Sequence, residues 1–365
     1  MLLRFCSELK KAFGFAEEVP PDTNSLITTF REFVTKLPEN RDVLLVIDAL
    51  NQLDESDNAQ QLYWLPWQFP TQFKVVVSCI DDPGRDEPAL KALTNRGIQP
   101  KHVPLLTNED RIEIVKQVPS ISAKSLNQYQ VDLLLQNPAT TNPLYLLVAL
   151  EELRGFGSFE QVGRRISQFP QNDAAVTDLF VQVIHRLQDE FEPSTVYDVL
   201  SLLASARRGL SDRELLDIIE GKSVSIGESK SDLFPILRQL RPYLQHRGEL
   251  RDFFHRNLYK AVEKELLRDD TDRSSVHAKL ADYFESQDYF MESLEEQRAR
   301  AKRIPPTPRP ANIRKVDELA YQLLQVAKLS GKDDPKSPHW DKVADLFTDL
   351  HFLETKAEAN SEGQA

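Results

Sequence analysis

Asp42-Val-Leu-Leu-Val-Ile-Asp48 is a continuous aliphatic run of strand length that ends in a carboxylate. Because the run lacks an alternation of apolar and polar residues, it predicts a strand buried on both faces in a parallel sheet. Lys74-Val-Val-Val-Ser78 is a second run of the same kind, and helix-forming sequence around Asn58–Leu65 separates the two. We therefore interpret the segment as a βαβ unit, which makes residues 1–105 an α/β region.

Helical patterns flank this unit on both sides. Apolar residues recur at helical spacing over 2–13 and over 26–37, which predicts two amphipathic helices ahead of the first strand. After residue 105, helices are predicted over Asn108–Val118, Leu126–Gln136 and Asn142–Gly155. The chain therefore changes from mixed α/β to mainly α.

The stretch from about 175 to 262 has the layout of a winged helix. Ser211-Asp-Arg-Glu214 is a capping box, which starts a helix because its serine and glutamate side chains satisfy free backbone N–H groups. Another helix is predicted over Leu233–Leu244, and a β-hairpin is predicted around the turn at Gly248-Glu249. Helices followed by a hairpin in this order are typical of winged-helix domains.

Composition disfavours several classes of function. The 365 residues carry 45 basic and 57 acidic side chains, a formal net charge of −12, which disfavours general binding to nucleic acid. No apolar run has the length of a membrane span, so we expect no membrane association and, by default, a cytoplasmic location. The two cysteines provide neither a disulfide framework nor a zinc site. Paired carboxylates such as Glu151-Glu152 are expected to be solvated.

Asp48 is the sharpest candidate for a functional residue. A carboxylate at the end of a buried parallel strand lies at the carboxyl edge of the sheet, where α/β proteins bind ligands. In P-loop NTPases this position belongs to the Walker B aspartate, which holds Mg²⁺ directly or through water. Since many α/β proteins have an aliphatic run that ends in aspartate, this pattern alone is weak.

An ordered series of motifs extends the argument along the chain. The series comprises Trp64-Leu-Pro66, Lys74–Ser78, Thr141-Asn142-Pro143, Gly209–Leu215, Phe253–Val262, His277–Phe284 and Asp317–Leu324. In this order and spacing the chain resembles the nucleotide-binding region of STAND/NACHT-type signalling ATPases. It is most similar to the subgroup of nephrocystin-3 and telomerase protein component 1, whose members usually continue into TPR or WD40 repeats. The resemblance covers residues 1–355.

The resemblance implies a domain organisation. It implies an incomplete P-loop NTPase parallel sheet, then a helical lid, a winged helix and a C-terminal helical domain. The expected boundaries are 1–105 for the partial NTPase domain, 106–172 for the lid, 173–265 for the winged helix, 266–355 for the helical domain and 356–365 for a disordered tail.

The resemblance also implies roles for individual residues. Asp48 takes the Walker B role and would hold Mg²⁺, with Asn51 at a neighbouring catalytic position. Ser78 becomes the sensor-like residue at the end of the next strand. Pro143 falls where relatives pack a proline near adenine. His255 falls where the winged-helix histidine of the relatives reaches towards the β-phosphate of bound ADP. Alternatively, Pro143 only starts a helix, and His255 is a structural histidine at the junction of hairpin and helix.

Two departures from the family pattern concern the phosphate site. A Walker A loop needs Gly-x-x-x-x-Gly-Lys-Ser/Thr, because its backbone N–H groups and lysine neutralise the phosphates. The Gly-Lys pairs at Gly221-Lys222 and Gly331-Lys332 fit neither the spacing nor the following residue. Asn51 and Gln52 also stand where NACHT proteins commonly carry acidic residues. We therefore expect an N-terminally truncated member of the class, with weak or absent ATP binding and hydrolysis.

Three hypotheses about function follow. The first is a regulatory ATPase module that uses ATP, ADP and Mg²⁺, and whose partners are other proteins or a missing N-terminal P-loop segment. The second is a non-catalytic scaffold for protein–protein interaction. The third is a DNA-binding regulator, supported by Arg207 and Arg208 near the winged helix. Acidic residues on the helix that follows the capping box, among them Asp212 and Asp217, oppose DNA binding.

Overall fold

The computed structural model describes residues 1–50, 53, 56–81, 87–117, 126–155, 159–222, 224, 231–291, 310–332, 334 and 336–362. The chain falls into two compact units, Met1–Pro104 and Leu105–Ala365. The first unit is mixed α/β with a small parallel sheet, and the second is mainly helical. This confirms the predicted change from α/β to mainly α.

The first unit is built from short elements. These are α1 (Leu2–Phe13), α2 (Thr23–Thr35), β1 (Val43–Ile47), a 3-10 helix (Ser56–Gln61), β2 (Phe73–Val77) and α3 (Pro88–Asn95). The two predicted strands and the two opening helices are therefore confirmed. The helix expected around Asn58–Leu65 is instead the 3-10 helix and a loop, since Asn58 and Leu62 have positive φ angles of 52° and 58°, which an α-helix does not allow.

Within the described residues, β1 and β2 form a two-stranded parallel sheet. Val43 lies opposite Phe73, and the register continues to Ile47 opposite Val77. The alternate residues Val43, Leu45 and Val75 pack against a core that contains Phe30 and Phe33 of α2. This inner face of the sheet is covered by α1 and α2.

The outer face of this sheet is open, which corrects the expectation of strands buried on both faces. The side chains of Leu44 and Val46 are each 62% exposed, and that of Val76 is 55% exposed. Successive side chains of a strand point to opposite faces, so a helical layer on one face leaves every second residue uncovered. Both faces of this sheet carry aliphatic residues, but helices cover only one of them. The sheet is therefore incomplete by itself.

The second unit begins with helices that surround one continuous core. These are α4 (Asn108–Gln117), α5 (Gln128–Leu135), a 3-10 helix (Pro138–Thr141), α6 (Pro143–Gly155), α7 (Phe159–Ser167), α8 (Ala175–Glu190) and α9 (Pro193–Ser205). The predicted helices over 108–118, 126–136 and 142–155 are confirmed within two residues at each end. The sequence pattern did not indicate α7.

A small antiparallel sheet follows in the second unit. The elements are β3 (Leu210–Ser211), α10 (Asp212–Ile219), α11 (Leu233–Leu240), a 3-10 helix (Arg241–Tyr243), β4 (Leu244–Arg247), β5 (Leu250–Phe253) and α12 (Arg256–Glu265). The strand order is β3-β5-β4. The predicted hairpin is confirmed, and so is the capping box. In this box the Glu214 N–H donates to the Ser211 hydroxyl oxygen, and the Ser211 N–H donates to the Glu214 carboxylate.

Gly209 allows β3 to approach β5. Its φ is +78°, and a Cβ at this position would lie 2.1 Å from the carbonyl oxygen of Arg251. Any other residue would therefore push the two strands apart.

The described part of the chain ends in long helices. These are α13 (Asp270–Glu285), α14 (Ile313–Ser330), α15 (Pro338–Thr348) and α16 (Leu350–Glu362). α13 packs along α14. The sequence predicted a disordered tail from residue 356, but α16 continues to Glu362. The buried side chain of Thr355 and the contact of Lys356 with the Phe352 ring continue the packing past the expected end.

Candidate functional site

The carboxyl ends of β1 and β2 bring Asp48 and Ser78 together. The Ser78 hydroxyl donates a hydrogen bond to Asp48 Oδ1. The same hydroxyl oxygen accepts the N–H of Ala49 at 2.8 Å. Backbone bonds extend the strand pairing past both strands, from Ser78 N–H to Ile47 O at 3.0 Å and from Leu50 N–H to Ser78 O at 2.8 Å. These two site candidates thus form one hydrogen-bonded unit at the edge of the sheet.

The backbone directly after Asp48 is strained. Ala49 has a φ of 55°, in the left-handed region that residues with a Cβ rarely adopt. This conformation turns the chain away from the strand direction directly after Asp48. Such strain, at a cost of about 1–3 kcal/mol, concentrates at ligand sites. The turn therefore holds the Asp48 carboxylate exposed at the sheet edge.

The donor set at this edge is suited to part of a magnesium–nucleotide site. Mg²⁺ bound with a nucleotide takes one or two carboxylates, and phosphate oxygens and water complete its coordination. Asp48 supplies a carboxylate and Ser78 a hydroxyl, but the described residues contain no group of three or more metal-ligating side chains. Asn51, the other predicted catalytic position, lies outside the described residues, as does Gln52.

Pro143 is the first residue of α6 and is exposed. The neighbouring Asn142 side chain accepts the N–H groups of Leu144 at 2.9 Å and Tyr145 at 3.3 Å. Proline is favoured at this position because its missing N–H would have no partner inside the helix. The local geometry therefore accounts for Pro143 as a helix initiator and leaves its ring on the surface.

His255 caps the start of α12. Its Nδ1 accepts the N–H of Asn257 at 3.2 Å, so the proton of the neutral ring lies on Nε2. Burial, and then the positive charge of Lys260, lowers the pKa of His255. A neutral, half-buried imidazole with a structural bond at Nδ1 fits the structural alternative, and the Nε2–H is the group that a ligand would meet.

The structure therefore brings two of the predicted site residues into contact and places the other two at the starts of different helices. Asp48 and Ser78 meet at the sheet edge of the first unit. Pro143 and His255 lie in the second unit, where Pro143 is the first residue of α6 and His255 caps the start of α12.

Two groups of buried, paired charges were not predicted from the sequence. Glu152, expected to be solvated, is buried and makes two hydrogen bonds of 2.9 Å with Arg186. Glu318 is fully buried on α14, and Arg314 bridges it to the capping-box Glu214. Helical periodicity gives no signal for Glu318, because at 100° per residue it lies on the side of α14 opposite Val316 and Ala320 of the apolar stripe. Arg186 lies 34 residues from Glu152 and Arg314 lies 100 residues from Glu214, so neither of these contacts gave a local pattern.

None of the helices in the described ranges is long and apolar enough to cross a membrane.

Comparison with known proteins supports the resemblance found in the motifs. No protein-family model matches the chain. The chain is 24% identical over 348 residues to a TPR repeat-containing protein of Dictyostelium discoideum, which covers 92% of the chain and 18% of that protein. It is 22% identical over 306 residues to human NACHT and WD repeat domain-containing protein 2, which covers 78% of the chain and 17% of that protein.

A third relative is mouse telomerase protein component 1, at 24% identity over 240 residues, with 63% of the chain and 9% of that protein covered. The chain spans less than a fifth of the length of each of these three relatives. The similarities confirm a NACHT-like resemblance, and they associate the chain with proteins named for TPR and WD repeats.

Proposed function

We propose that this chain is the NACHT-like core of a regulatory nucleotide-binding signalling module, of the STAND class. The observation that carries the proposal is the Asp48–Ser78 pair at the shared carboxyl end of two parallel strands. In this proposal residues 1–105 are the Walker B side of the nucleotide site, 106–172 the lid and 173–265 a winged helix. Pro143 and His255 are the nucleotide contacts of the second unit.

ATP or ADP with Mg²⁺ is the proposed ligand of the complete module. Asp48 would hold Mg²⁺, and Ser78 would orient the carboxylate through its hydroxyl. The 365 residues contain no Walker A sequence, and therefore no loop of that type to neutralise the phosphates. We therefore propose that the chain alone binds and hydrolyses ATP weakly or not at all.

The open face of the β1–β2 sheet supports a partner that completes the site. Parallel sheets are stable when both faces are covered, and β-sheets seldom persist with two strands. We propose that a P-loop-bearing segment supplied from outside residues 1–365 pairs with this sheet. TPR or WD repeats, named in the relatives, are the proposed signal-sensing partners. Both cysteines are free thiols, which suits the proposed cytoplasmic location.

Calorimetric titration of the purified chain with MgATP tests this proposal. The expected result is the absence of magnesium-dependent binding in the micromolar range, equally in the wild-type chain and in Asp48→Ala. Asp42→Ala, an exposed carboxylate before β1, is the matched control. Micromolar affinity that Asp48→Ala abolishes and Asp42→Ala preserves would refute the proposed deficiency, while supporting Asp48 as a magnesium ligand.

A second candidate is a non-catalytic scaffold for protein–protein interaction. The observation that favours it is the exposed row of Leu44, Val46 and Val76 on the open sheet face. Exposed apolar patches of this kind mark interaction surfaces. If a P-loop-bearing segment binds the chain without restoring ATP affinity, the scaffold describes the chain better than the nucleotide switch.

DNA binding is the weakest candidate. Arg251 is engaged by Asp212, with Nη2 donating to Oδ2 at 2.7 Å, and Arg208 is paired with Asp317 at 3.1 Å. These pairs neutralise the local positive charge that a phosphate backbone requires. A gel-shift assay at physiological salt should show no retained complex.

A further inference from the structure

A cleft of 300 Å³ opens in the second unit between α8 and the end of α7. It is lined by Arg165, Gln168, Gln182, His185, Arg186 and Asp189. None of these residues belongs to the proposed nucleotide contacts, so the cleft lies beyond the proposed function. Its volume is at the lower limit of the range of about 300–1,000 Å³ for ligand pockets, which suits a small molecule.

One face of α8 forms a wall of this cleft. Gln182, His185, Arg186 and Asp189 stand at positions i, i+3, i+4 and i+7, which lie on one side of an α-helix. At 1.5 Å per residue, Gln182 and Asp189 are about 10 Å apart along the helix axis. The wall therefore presents different polar groups at its two ends.

The two residues in the middle of this wall are already engaged by carboxylates. Arg186 donates from Nε and Nη2 to the Glu152 carboxylate, each at 2.9 Å, and from Nη1 to Glu190 at 3.0 Å. His185 is paired with Glu265, with 3.2 Å between Nε2 and Oε2. A bidentate pair with a buried glutamate is costly to break. A ligand would therefore be held by the rest of the lining.

Arg165 is a cation whose hydrogen-bonding capacity is largely unused. Its side chain is 16% exposed, and the Glu152 carboxylate oxygen that it faces lies 3.6 Å from Nη2. That carboxylate is already bonded to Arg186. The Nε of Arg165 is buried with no hydrogen-bond partner in the part of the chain that the structure describes. Because buried polar groups are almost always hydrogen-bonded, we expect this guanidinium to receive a carboxylate from a ligand.

The lining also contains two acceptors without a donor. The Gln182 amide nitrogen donates to the Gln168 carbonyl oxygen at 2.9 Å, which identifies the other atom of the amide as an oxygen. This oxygen, Oε1, is buried without a hydrogen-bond partner among the described residues. At the other end of the wall, the Asp189 carboxylate is exposed, and no described cation pairs with it. The cleft thus combines one available cation with two separate acceptors.

We propose that this cleft binds a free α-amino acid with an amide side chain, of the size of glutamine. Arg165 donates to its carboxylate, and Asp189 pairs with its ammonium group. Because burying a charge against a neutral acceptor is costly, the neutral side-chain amide, and not the ammonium group, donates to the buried oxygen of Gln182. An inorganic anion would leave both acceptors without a donor.

Calorimetric titration of the full chain with L-glutamine tests this assignment. The comparison ligands are glutaramic acid, which lacks the ammonium group, L-glutamate, which lacks the amide donor, and inorganic phosphate. We expect saturable binding of glutamine and at least about tenfold weaker binding of the other three, a difference of about 1.4 kcal/mol. Equal binding of any comparison ligand, or the absence of saturable glutamine binding at millimolar concentration, would overturn the assignment.

Two variants separate the carboxylate contact from the ammonium contact. Arg165→Gln should weaken glutamine binding at least about tenfold, whereas Arg164→Gln, at its exposed neighbour, should leave the affinity unchanged. Asp189→Asn should remove the preference for glutamine over glutaramic acid, and Asp173→Asn, at another exposed carboxylate, should keep it. Since Asp189 is exposed near the end of α8, its substitution should not disturb the fold. An unchanged preference in Asp189→Asn would contradict the assignment even if Arg165→Gln failed to fold.

Discussion

The two compact units of the chain differ in how completely their own residues cover apolar surfaces and pair buried charges. In the first unit, aliphatic side chains on one face of the β1–β2 sheet are exposed, and the Asp48–Ser78 pair stands at an open sheet edge. In the second unit, one core connects the helices, and its buried charges have partners from the same unit. The first unit thus leaves an apolar sheet face uncovered, whereas the second unit pairs its buried charges internally.

Glu318 illustrates this internal pairing of buried charge. Its fully buried carboxylate accepts the N–H groups of Arg207 and Arg208, each at 3.2 Å. It also accepts Arg314 Nη1 at 3.2 Å and Gln322 Nε2 at 3.0 Å. A buried carboxylate with this many donors ties α14 to the loop before β3.

The largest expected effect lies in that network. Glu318→Ala removes the carboxylate and leaves Arg314 and two backbone N–H groups short of an acceptor, so we expect a loss of about 3–5 kcal/mol in the free energy of unfolding. Glu263→Ala, an exposed carboxylate on α12, should change it by less than about 0.5 kcal/mol. Denaturant unfolding followed by circular dichroism measures both. Equal stability of the two variants would remove the contrast between the units.

A matched pair of substitutions in β1 sharpens the description of the first unit. Ile47 is buried on the inner face and its neighbour Val46 is exposed on the outer face. Ile47→Ala should cost about 2–4 kcal/mol, because it leaves a cavity in the core. Val46→Ala should cost less than about 0.5 kcal/mol, as at other surface positions. Similar losses in both variants would mean that the outer face is covered in solution.

The smallest expected effect concerns acid stability of the second unit. His277 is buried, and Nδ1 donates to Gln322 Oε1 at 2.6 Å, since the Gln322 amide nitrogen already donates to Glu318 and Ser205. Burial lowers the pKa of His277 below its usual value of 6.5. The unfolded chain therefore takes up a proton at a higher pH than the folded chain does.

Stability from this histidine is complete above pH 6.5 and is lost as the pH falls from there through the lower folded pKa. Thermal melts between neutral and mildly acidic pH should show a falling Tm, and His277→Gln should reduce that fall. His255 shifts in the same direction and should leave a residual slope in the variant. An identical pH dependence in the wild-type chain and in His277→Gln would exclude His277 as a contributor.

Local signals in the sequence predicted many of the elements. The aliphatic runs gave β1 and β2, the Ser211–Glu214 capping box gave the start of α10, and the turn at Gly248 gave the hairpin. Asp48 and Ser78 were each expected at the end of a strand, but their hydrogen bond was not predicted. Each of these signals depends on neighbouring residues or on strand direction.

Features that depend on residues far apart in the chain could not be predicted from the sequence. A run of aliphatic residues does not show which face lacks a cover, so the exposure of Val46 was unforeseen. The positive φ of Leu62 is sustained by surrounding structure, including the hydrogen bond from Arg96, which lies 34 residues away in the chain. Arg314 likewise reaches Glu214 across 100 residues.

Hydrogen exchange of the full chain, followed by mass spectrometry, compares the two units most directly. If the β1–β2 sheet is incomplete, its amides over 43–47 and 73–77 exchange through local opening, at least about 100-fold faster than amides in the middle of α14. This is the result we predict for the chain alone. Equal protection of the sheet and of α14 would contradict the claim that the first unit awaits a partner.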